Sequence, residues 1–97
     1  MAKGYWVSCY RSIKDANALA EYARIAGPAI ESGGGRFLAR GGRVEAFEAA
    51  AKERTVVVEF PSFEQALATR NSDAYQAALE VLGNAAERDF RVIEGLD

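Results

Sequence analysis

Histidine is absent from the 97-residue sequence. Its absence removes the side chain that most often transfers protons near neutral pH and most often binds transition metals. Cysteine occurs once, at Cys9, so no disulfide can form within the chain. The carboxylates show no metal-binding spacing, and nothing in the sequence would activate a thiol. We therefore predict no metal and no cofactor, and we interpret Cys9 as a buried structural residue.

An excess of basic residues and a long apolar run are also missing. Lys and Arg number 12 against 14 Asp and Glu, for a formal charge of −2, whereas proteins that bind nucleic acids generally need a basic surface. No apolar stretch approaches the roughly 18–20 residues that span a bilayer, and the N-terminus has no secretory pattern. The sequence thus predicts a cytoplasmic protein with neither a nucleic-acid partner nor a membrane partner.

The chain is short for its apolar content. We predict one domain over residues 1–97, and a domain of this size has only a thin core. Hydrophobic residues nevertheless make up 49% of the sequence. Part of this apolar surface is expected to be covered by a partner.

Strand and helix patterns follow one another in a simple order. Aromatic and β-branched runs predict four strands, over Gly4–Arg11, Arg36–Gly41, Arg54–Phe60 and Asp89–Glu94. A helix capped by Ser12 or Asp15 follows strand one, and its pattern is interrupted at Gly27-Pro28. Residues 42–53 form a flexible hairpin. Ser62 with Gln65 forms a capping box, and Ser72 caps another helix after a break at Asn71.

The resulting order is β-α-β-β-α-β, which predicts an α+β, ferredoxin-like antiparallel sheet with its helices on one face. Gly33-Gly34-Gly35 lies between a helix and a strand, so it is a turn rather than a phosphate-binding loop. The strand-three segment Thr-Val-Val-Val is apolar on both of its faces. Because two helices cover only one face of such a sheet, the other face needs a partner, and we predict a homodimer.

Side-chain alternation divides each strand between the two faces. Our assignment places on the helix side Val7, Cys9, Phe37, Ala39, Val56, Val58, Phe60, Phe90 and Val92. It places on the opposite, partner-facing side Trp6, Ser8, Tyr10, Arg36, Leu38, Arg40, Val57, Glu59, Arg91 and Ile93.

The predicted partner-facing side contains a candidate ligand site. Its residues are Trp6, Ser8, Tyr10, Arg40 and Glu59, and they line an expected lumen between two facing sheets. Arg40 would hold an anionic group, and a desolvated Glu59 with a raised pKa is the one candidate catalytic base. The alternative is a structural ion pair between Arg40 and Glu59. We therefore carry two functions, a binder or enzyme for a small anionic or aromatic molecule and a structural dimer without catalysis.

Two further patterns have competing interpretations. Arg36, Arg40 and Arg43 could clamp a carboxylate or phosphate, but nearby glutamates favour ordinary solvated charges. Trp6 and Tyr10 could stack bases, as aromatic residues do in RNA-recognition domains of this fold. The strand-three sequence lacks the basic aromatic motif of those domains, so RNA binding is a distant alternative.

An ordered set of motifs along the chain resembles one family. The motifs are Lys3-Gly4-Tyr5-Trp6, Gly34-Gly35-Arg36-Phe37-Leu38 with Arg40-Gly41-Gly42, Val58-Glu59-Phe60-Pro61-Ser62-Phe63 and Tyr75-Gln76-Ala77-Ala78. They resemble the bacterial domain-of-unknown-function family numbered thirteen-thirty. The resemblance implies the dimeric α+β barrel fold and no established activity; the broader superfamily includes monooxygenases and isomerases. This chain departs from the pattern at Arg70-Asn71-Ser72-Asp73, where relatives have an aromatic residue followed by Ser-Pro-Glu.

Overall fold

A computed structural model describes residues 2–96. It contains four strands and three helices, which are β1 (Gly4–Ile13), α1 (Ala16–Ser32), β2 (Arg36–Arg40), β3 (Thr55–Phe60), α2 (Phe63–Arg70), α3 (Asp73–Leu82) and β4 (Ala86–Glu94). The strands form one antiparallel sheet in the order β2-β3-β1-β4, and the helices pack on one of its faces. This arrangement confirms the predicted α+β ferredoxin-like fold. None of the helices in residues 2–96 combines the length and apolarity needed to cross a membrane.

Trp6 lies at the centre of the core between the sheet and the helices. It is 2% exposed, and its ring centroid lies 4.8 Å from that of Tyr75, 5.0 Å from that of Phe60 and 5.2 Å from that of Phe90. Its indole N–H donates to the carbonyl of Ala66 on α2 over 2.9 Å. A buried tryptophan needs such a partner for its single donor. The central strand is therefore joined to the helical layer by both packing and a hydrogen bond.

Helix α1 continues through the site where an interruption was predicted. Pro28 lies inside the helix, and the buried residues Ala26, Ala29 and Ile30 surround it. Proline removes one backbone donor from a helix, but burial of the apolar stripe offsets that loss here. Asp15 is the N-cap, and its side chain accepts from the backbone N–H groups of the second and third helical residues. The prediction that the helix is interrupted at Gly27-Pro28 was wrong, because packing of the apolar side of α1 outweighs the low helix propensity of glycine and proline.

The predicted caps of the other two helices are confirmed. Ser62 accepts from the backbone N–H of Gln65 over 3.0 Å, and Ser72 accepts from that of Tyr75 over 3.2 Å. The side chain of Gln65 does not return to Ser62 as a capping box requires. Its Nε2 instead donates to the carbonyl of Gly33 over 2.7 Å. Gln65 thus links α2 to the end of α1.

The face assignment for β1 was wrong by one residue. Trp6 lies opposite Val58 and Val92, and directly paired residues share a face of the sheet. Trp6, Ser8 and Tyr10 therefore point toward the helices, and all three are buried. A shift of one residue exchanges the two faces of a whole strand. The aromatic contacts of Trp6 fix the face of β1 that packs against the helices.

A β-bulge in β2 reverses the assignment of Arg40. Phe37 pairs with Val58 and Ala39 pairs with Val57, so Leu38 is an extra residue in this strand. Arg40 then pairs with Val56 on the helix side, while Ala39 faces away from the helices. Arg40 was predicted on the partner-facing side by strict alternation, which the bulge breaks.

We call the helix-free side of the sheet the open face. It is formed by Tyr5, Val7, Cys9, Arg36, Ala39, Thr55, Val57, Glu59, Asp89, Arg91 and Ile93. The assignments of Val57, Glu59, Arg91 and Ile93 to this side are confirmed. Cys9 was predicted to be buried and is exposed here, because the shift of β1 places it on this side. Ile93 is 56% exposed.

The continuity of α1 leads to a stability prediction. Replacing Pro28 by alanine restores a backbone donor in mid-helix, so Pro28→Ala should raise the free energy of unfolding by about 1–3 kcal/mol in urea titrations. Ser32→Ala, in the last turn of the same helix, is the control for ordinary propensity and should gain less than about 0.5 kcal/mol. Equal effects of the two changes would contradict the account of α1 given above.

Candidate functional site

A small cavity lies between α1 and the sheet, on the side opposite the open face. Its volume is about 30 Å3. Aromatic side chains provide part of its wall, and three arginines from three different strands or their flanks converge on it. We call it the arginine pocket and define it by Trp6, Ser8, Phe37, Arg40, Arg54 and Arg88.

Each arginine of the pocket lies against an aromatic ring. The guanidinium of Arg40 is 4.1 Å from the ring centre of Phe37. Those of Arg54 and Arg88 lie 5.9 and 5.6 Å from the ring centre of Tyr10. Such cation–π contacts position a guanidinium without neutralising its charge. The N–H donors of Arg40 and Arg54 are not used by these contacts, whereas Nη1 of Arg88 donates to the phenol of Tyr22.

None of these three arginines pairs with a carboxylate within residues 2–96. On the open face the situation is the reverse. Arg36 lies 2.9 Å from Glu59, and Arg91 lies 3.0 Å from Asp89. The protein thus balances the positive charge of the open face and leaves that of the arginine pocket without a negative partner.

Two buried polar atoms at the pocket also lack partners in the described chain. They are Oγ of Ser8 and Nε of Arg54. Ser8 is 4% exposed, and buried polar groups in proteins are nearly always hydrogen-bonded. An unmade bond of this kind costs about 1–3 kcal/mol. Both residues line the same cavity.

Tyrosines hold Arg88 in place. Its Nη1 donates to the phenol of Tyr22 over 3.0 Å, and the phenols of Tyr22 and Tyr75 are themselves hydrogen-bonded. Burial raises the pKa of Tyr22 well above its ordinary value, so the phenol stays protonated. Burial alone would lower the pKa of Arg88, but the surrounding phenols outweigh it and raise the pKa. Arg88 is a permanent cation on the pocket wall.

Glu59 lies on the open face, away from the arginine pocket. Its carboxylate accepts from Arg36 over 2.9 Å and from the phenol of Tyr5 over 3.2 Å. Desolvation acts to raise the pKa of Glu59, but these two hydrogen bonds outweigh it and lower the pKa. A base needs the opposite shift to be effective near neutral pH. The expected pairing with Arg40 was wrong, since Arg36 takes that place.

The structure brings together four of the five residues that the sequence suggested for a site. Trp6, Ser8 and Arg40 line the pocket, and Tyr10 lies beneath two of its arginines. Glu59 is separated from them by the sheet. Sequence analysis missed Arg54, Arg88 and Tyr22, which lie at strand beginnings and on α1. Only the tertiary fold brings these three residues to one cavity, although Arg54 and Arg88 could have been noted as cations beside apolar strands.

The family of the chain follows from a match over nearly its full length. Residues 3–96 match the model of a domain of unknown function, DUF1330. The chain belongs to this family, as the resemblance of its motifs implied. No curated protein matches the sequence.

Solved structures of other proteins share the fold at low identity. A protein of unknown function from Rhodopseudomonas palustris is 18% identical with a TM-score of 0.77, over 99% of this chain and 84% of that one. A candidate antibiotic biosynthesis monooxygenase from Caulobacter crescentus is 12% identical with a TM-score of 0.61, over 99% and 91% of the two chains. A dimeric ferredoxin-like protein of unknown function from Thermobifida fusca is 12% identical with a TM-score of 0.52, over 98% and 92%. At these identities the likeness establishes the fold alone.

The environment of Glu59 leads to a prediction about pH. Its pKa is lowered in the folded protein from 4.5, so its contribution to stability is present above that value and is lost as pH falls through the folded-state pKa. Glu59→Gln should therefore show a smaller decrease in melting temperature than wild type between about pH 6 and about pH 3. Glu64→Gln, on the outer side of α2, is the matched control. An unchanged acid response in Glu59→Gln would contradict the role assigned to the Arg36 and Tyr5 hydrogen bonds.

Proposed function

We propose that this protein is a small-molecule-binding homodimer whose ligand is an organic anion held in the arginine pocket. The single observation that supports this most strongly is the charge of the pocket, where Arg40, Arg54 and Arg88 have no carboxylate partner among residues 2–96. The ligand-binding residues are Trp6, Ser8, Tyr10 and Arg40, as the sequence suggested, together with Arg54 and Arg88. The site lies under α1 rather than in the lumen between two sheets.

The chemistry of the pocket favours an oxyanion. Guanidinium groups offer paired N–H donors that match the two oxygens of a carboxylate, and hydrogen bonds to ionised groups are about twice as strong as neutral ones. The hydroxyl of Ser8 and Nε of Arg54 supply two more donors that have no other use in the described chain. A water molecule could satisfy Ser8, but it would leave the half-buried guanidinium groups of Arg54 and Arg88 without a counter-charge.

The dimer half of the proposal rests on the open face. Its apolar side chains Val7, Val57 and Ile93 lie together with Tyr5 across three adjacent strands. Tyr5, Val7 and Val57 are half-buried and Ile93 is exposed, and an apolar sheet surface that no helix covers is unusual on a monomer. The structural neighbour from Thermobifida fusca is described as dimeric, which supports the same assembly here. Packing of two open faces is also the basis for expecting a homodimer in this family.

The second candidate function is a structural dimer that binds no ligand and catalyses nothing. The observation in its favour is the ion pair of Glu59 with Arg36, which fits a contact that fixes the register of two sheets. Under this proposal the pocket arginines serve only packing against Phe37 and Tyr10. Ligand titrations separate the two functions directly.

Removal of one pocket cation tests the binding proposal. The fluorescence of Trp6, the only tryptophan, should change as wild type is titrated with acetate or benzoate. Arg54→Gln should weaken this binding by about 10- to 100-fold, the range expected when a charge-assisted hydrogen bond is lost. Arg24→Gln, which removes an exposed cation from the outer side of α1, should leave the affinity unchanged.

A second variant blocks the cavity and keeps every charge. Gly27 lies on the pocket wall, where an added Cβ would be 3.8 Å from Nη1 of Arg40. Gly27→Leu should fill the cavity and abolish binding, while circular dichroism and melting confirm that α1 is intact. Binding of the anions by Gly27→Leu as tightly as by wild type would refute the location of the site, and failure of wild type to bind any anion would favour the structural dimer.

The oligomer is tested by charging the open face. Light scattering of wild type should give twice the 10.5 kDa chain mass. Val57→Asp should give the monomer mass, because burying an unpaired carboxylate between two sheets costs several kcal/mol. Leu67→Asp, on the exposed side of α2, should remain dimeric. A folded wild-type monomer at working concentrations would refute the assembly.

A further inference from the structure

The volume of the arginine pocket limits what it can hold. A water molecule needs about 10–15 Å3 of such space, so about 30 Å3 accommodates roughly two or three heavy atoms. A carboxylate group alone fills this space. The remainder of any larger ligand must lie elsewhere, and the neighbouring surface decides its chemistry.

An open cleft of about 420 Å3 shares a wall with the pocket. Arg54 lines both spaces, and its Nη1 lies beside Gly41, which also lines the cleft. Gly41 makes this position possible, because its φ of +70° turns the backbone aside and an added Cβ would lie 2.8 Å from Nη1 of Arg54. A ligand whose carboxylate contacts the guanidinium of Arg54 therefore has the cleft beside it.

The walls of the cleft are apolar near Arg54 and charged at its rim. Ile13 from the end of β1, Leu19 from α1 and Val44 from the β2–β3 connection supply the apolar part, and all three are half-buried. The rim carries Lys52 and Glu53. Lys52 is paired with Glu45 at 3.4 Å, so once the carboxylate of a ligand compensates Arg54, the carboxylate of Glu53 is left at the rim without a cationic partner among residues 2–96. A second carboxylate on the ligand would be repelled there.

We propose that the ligand of the arginine pocket is an amphipathic monocarboxylate, with its carboxylate at Arg54 and an uncharged apolar portion in the cleft of Ile13, Leu19 and Val44. This inference rests on the proposed function and specifies its ligand class. It excludes dicarboxylates and inorganic anions as preferred ligands. Affinity is then divided between charge at the head and hydrophobic burial along the tail.

Four probes separate these contributions when Trp6 fluorescence or amide chemical shifts are followed in titrations of the full-length protein. Hexanoate should bind about 10- to 100-fold more tightly than acetate, the range expected when two or three of its four additional methylenes are buried at about 0.8 kcal/mol each. Adipate should bind at least about tenfold more weakly than hexanoate because its second charge meets the negative rim. Hexanol, which has the tail without the charge, should bind more weakly than hexanoate.

Variants assign the two contributions to the two spaces. Leu19→Asn should lower hexanoate affinity about tenfold and leave acetate affinity within about twofold, so acetate also reports that the pocket is intact. Val44→Asn makes the same test in the β2–β3 connection. Unlike Leu19, Val44 does not pack against the hydrophobic core. Arg54→Gln should weaken both acids. Leu67→Asn, on the far side of the helical layer, should change neither.

The outcomes distinguish this inference from the proposed function. Equal affinities for acetate and hexanoate, or a preference for adipate, would overturn the amphipathic ligand class while leaving an anion site in place. Absence of binding by every carboxylate would overturn the anion site itself. Loss of acetate affinity in both Leu19→Asn and Val44→Asn would show that the cleft is not a separate subsite and would also refute the inference.

Discussion

The burial of Trp6 against the helices is the constraint on which the remaining structure depends. Its indole N–H reaches Ala66, and its ring contacts aromatic residues from β3, α3 and β4. Because β1 is a central strand, fixing this one side chain fixes the direction of every other residue of the strand. Ser8 and Tyr10 follow Trp6 to the helix side, and Val7 and Cys9 take the open face. The composition of the arginine pocket and that of the open face thus both follow from the register of β1.

The two sides of the sheet handle charge in different ways. On the open face each carboxylate near the middle of the sheet has an arginine partner, which allows the surface to be buried without leaving a charge unpaired. On the helix side Arg40 and Arg54 lie against aromatic rings without a carboxylate partner among residues 2–96, and Arg88 donates to the phenol of Tyr22. Arg54 and Arg88 are half-buried and Arg40 is exposed, and a half-buried cation without a counter-charge is costly unless a ligand supplies one. This difference is the physical reason for placing assembly on one side of the sheet and ligand binding on the other.

Glycine contributes to the site where backbone must pass close to an arginine. Gly41 adopts a positive φ and leaves room for Arg54. Gly27 places no side chain on the surface of α1 beside Arg40. Neither position has a role in the core. The same chain segment also carries the β2 bulge, which turns Arg40 toward Gly27. The segment between Gly27 and Arg54 therefore supplies three of the six residues that define the arginine pocket, namely Phe37, Arg40 and Arg54.

The sequence by itself determined the order of elements, the ferredoxin-like fold, the caps at Ser62 and Ser72, and the family, and it left the cap of α1 open between Ser12 and Asp15. These depend on local propensity and on hydrogen bonds within a few residues, which a linear pattern contains. The tertiary structure alone decided the face of β1, the bulge at Leu38 and the continuity of α1 through Pro28. Each of these depends on which distant side chains pack together, and a shift of one residue reverses a strand without changing its composition. The predicted residues Trp6, Ser8, Tyr10 and Arg40 do come together, but only packing could place them under α1 and separate them from Glu59.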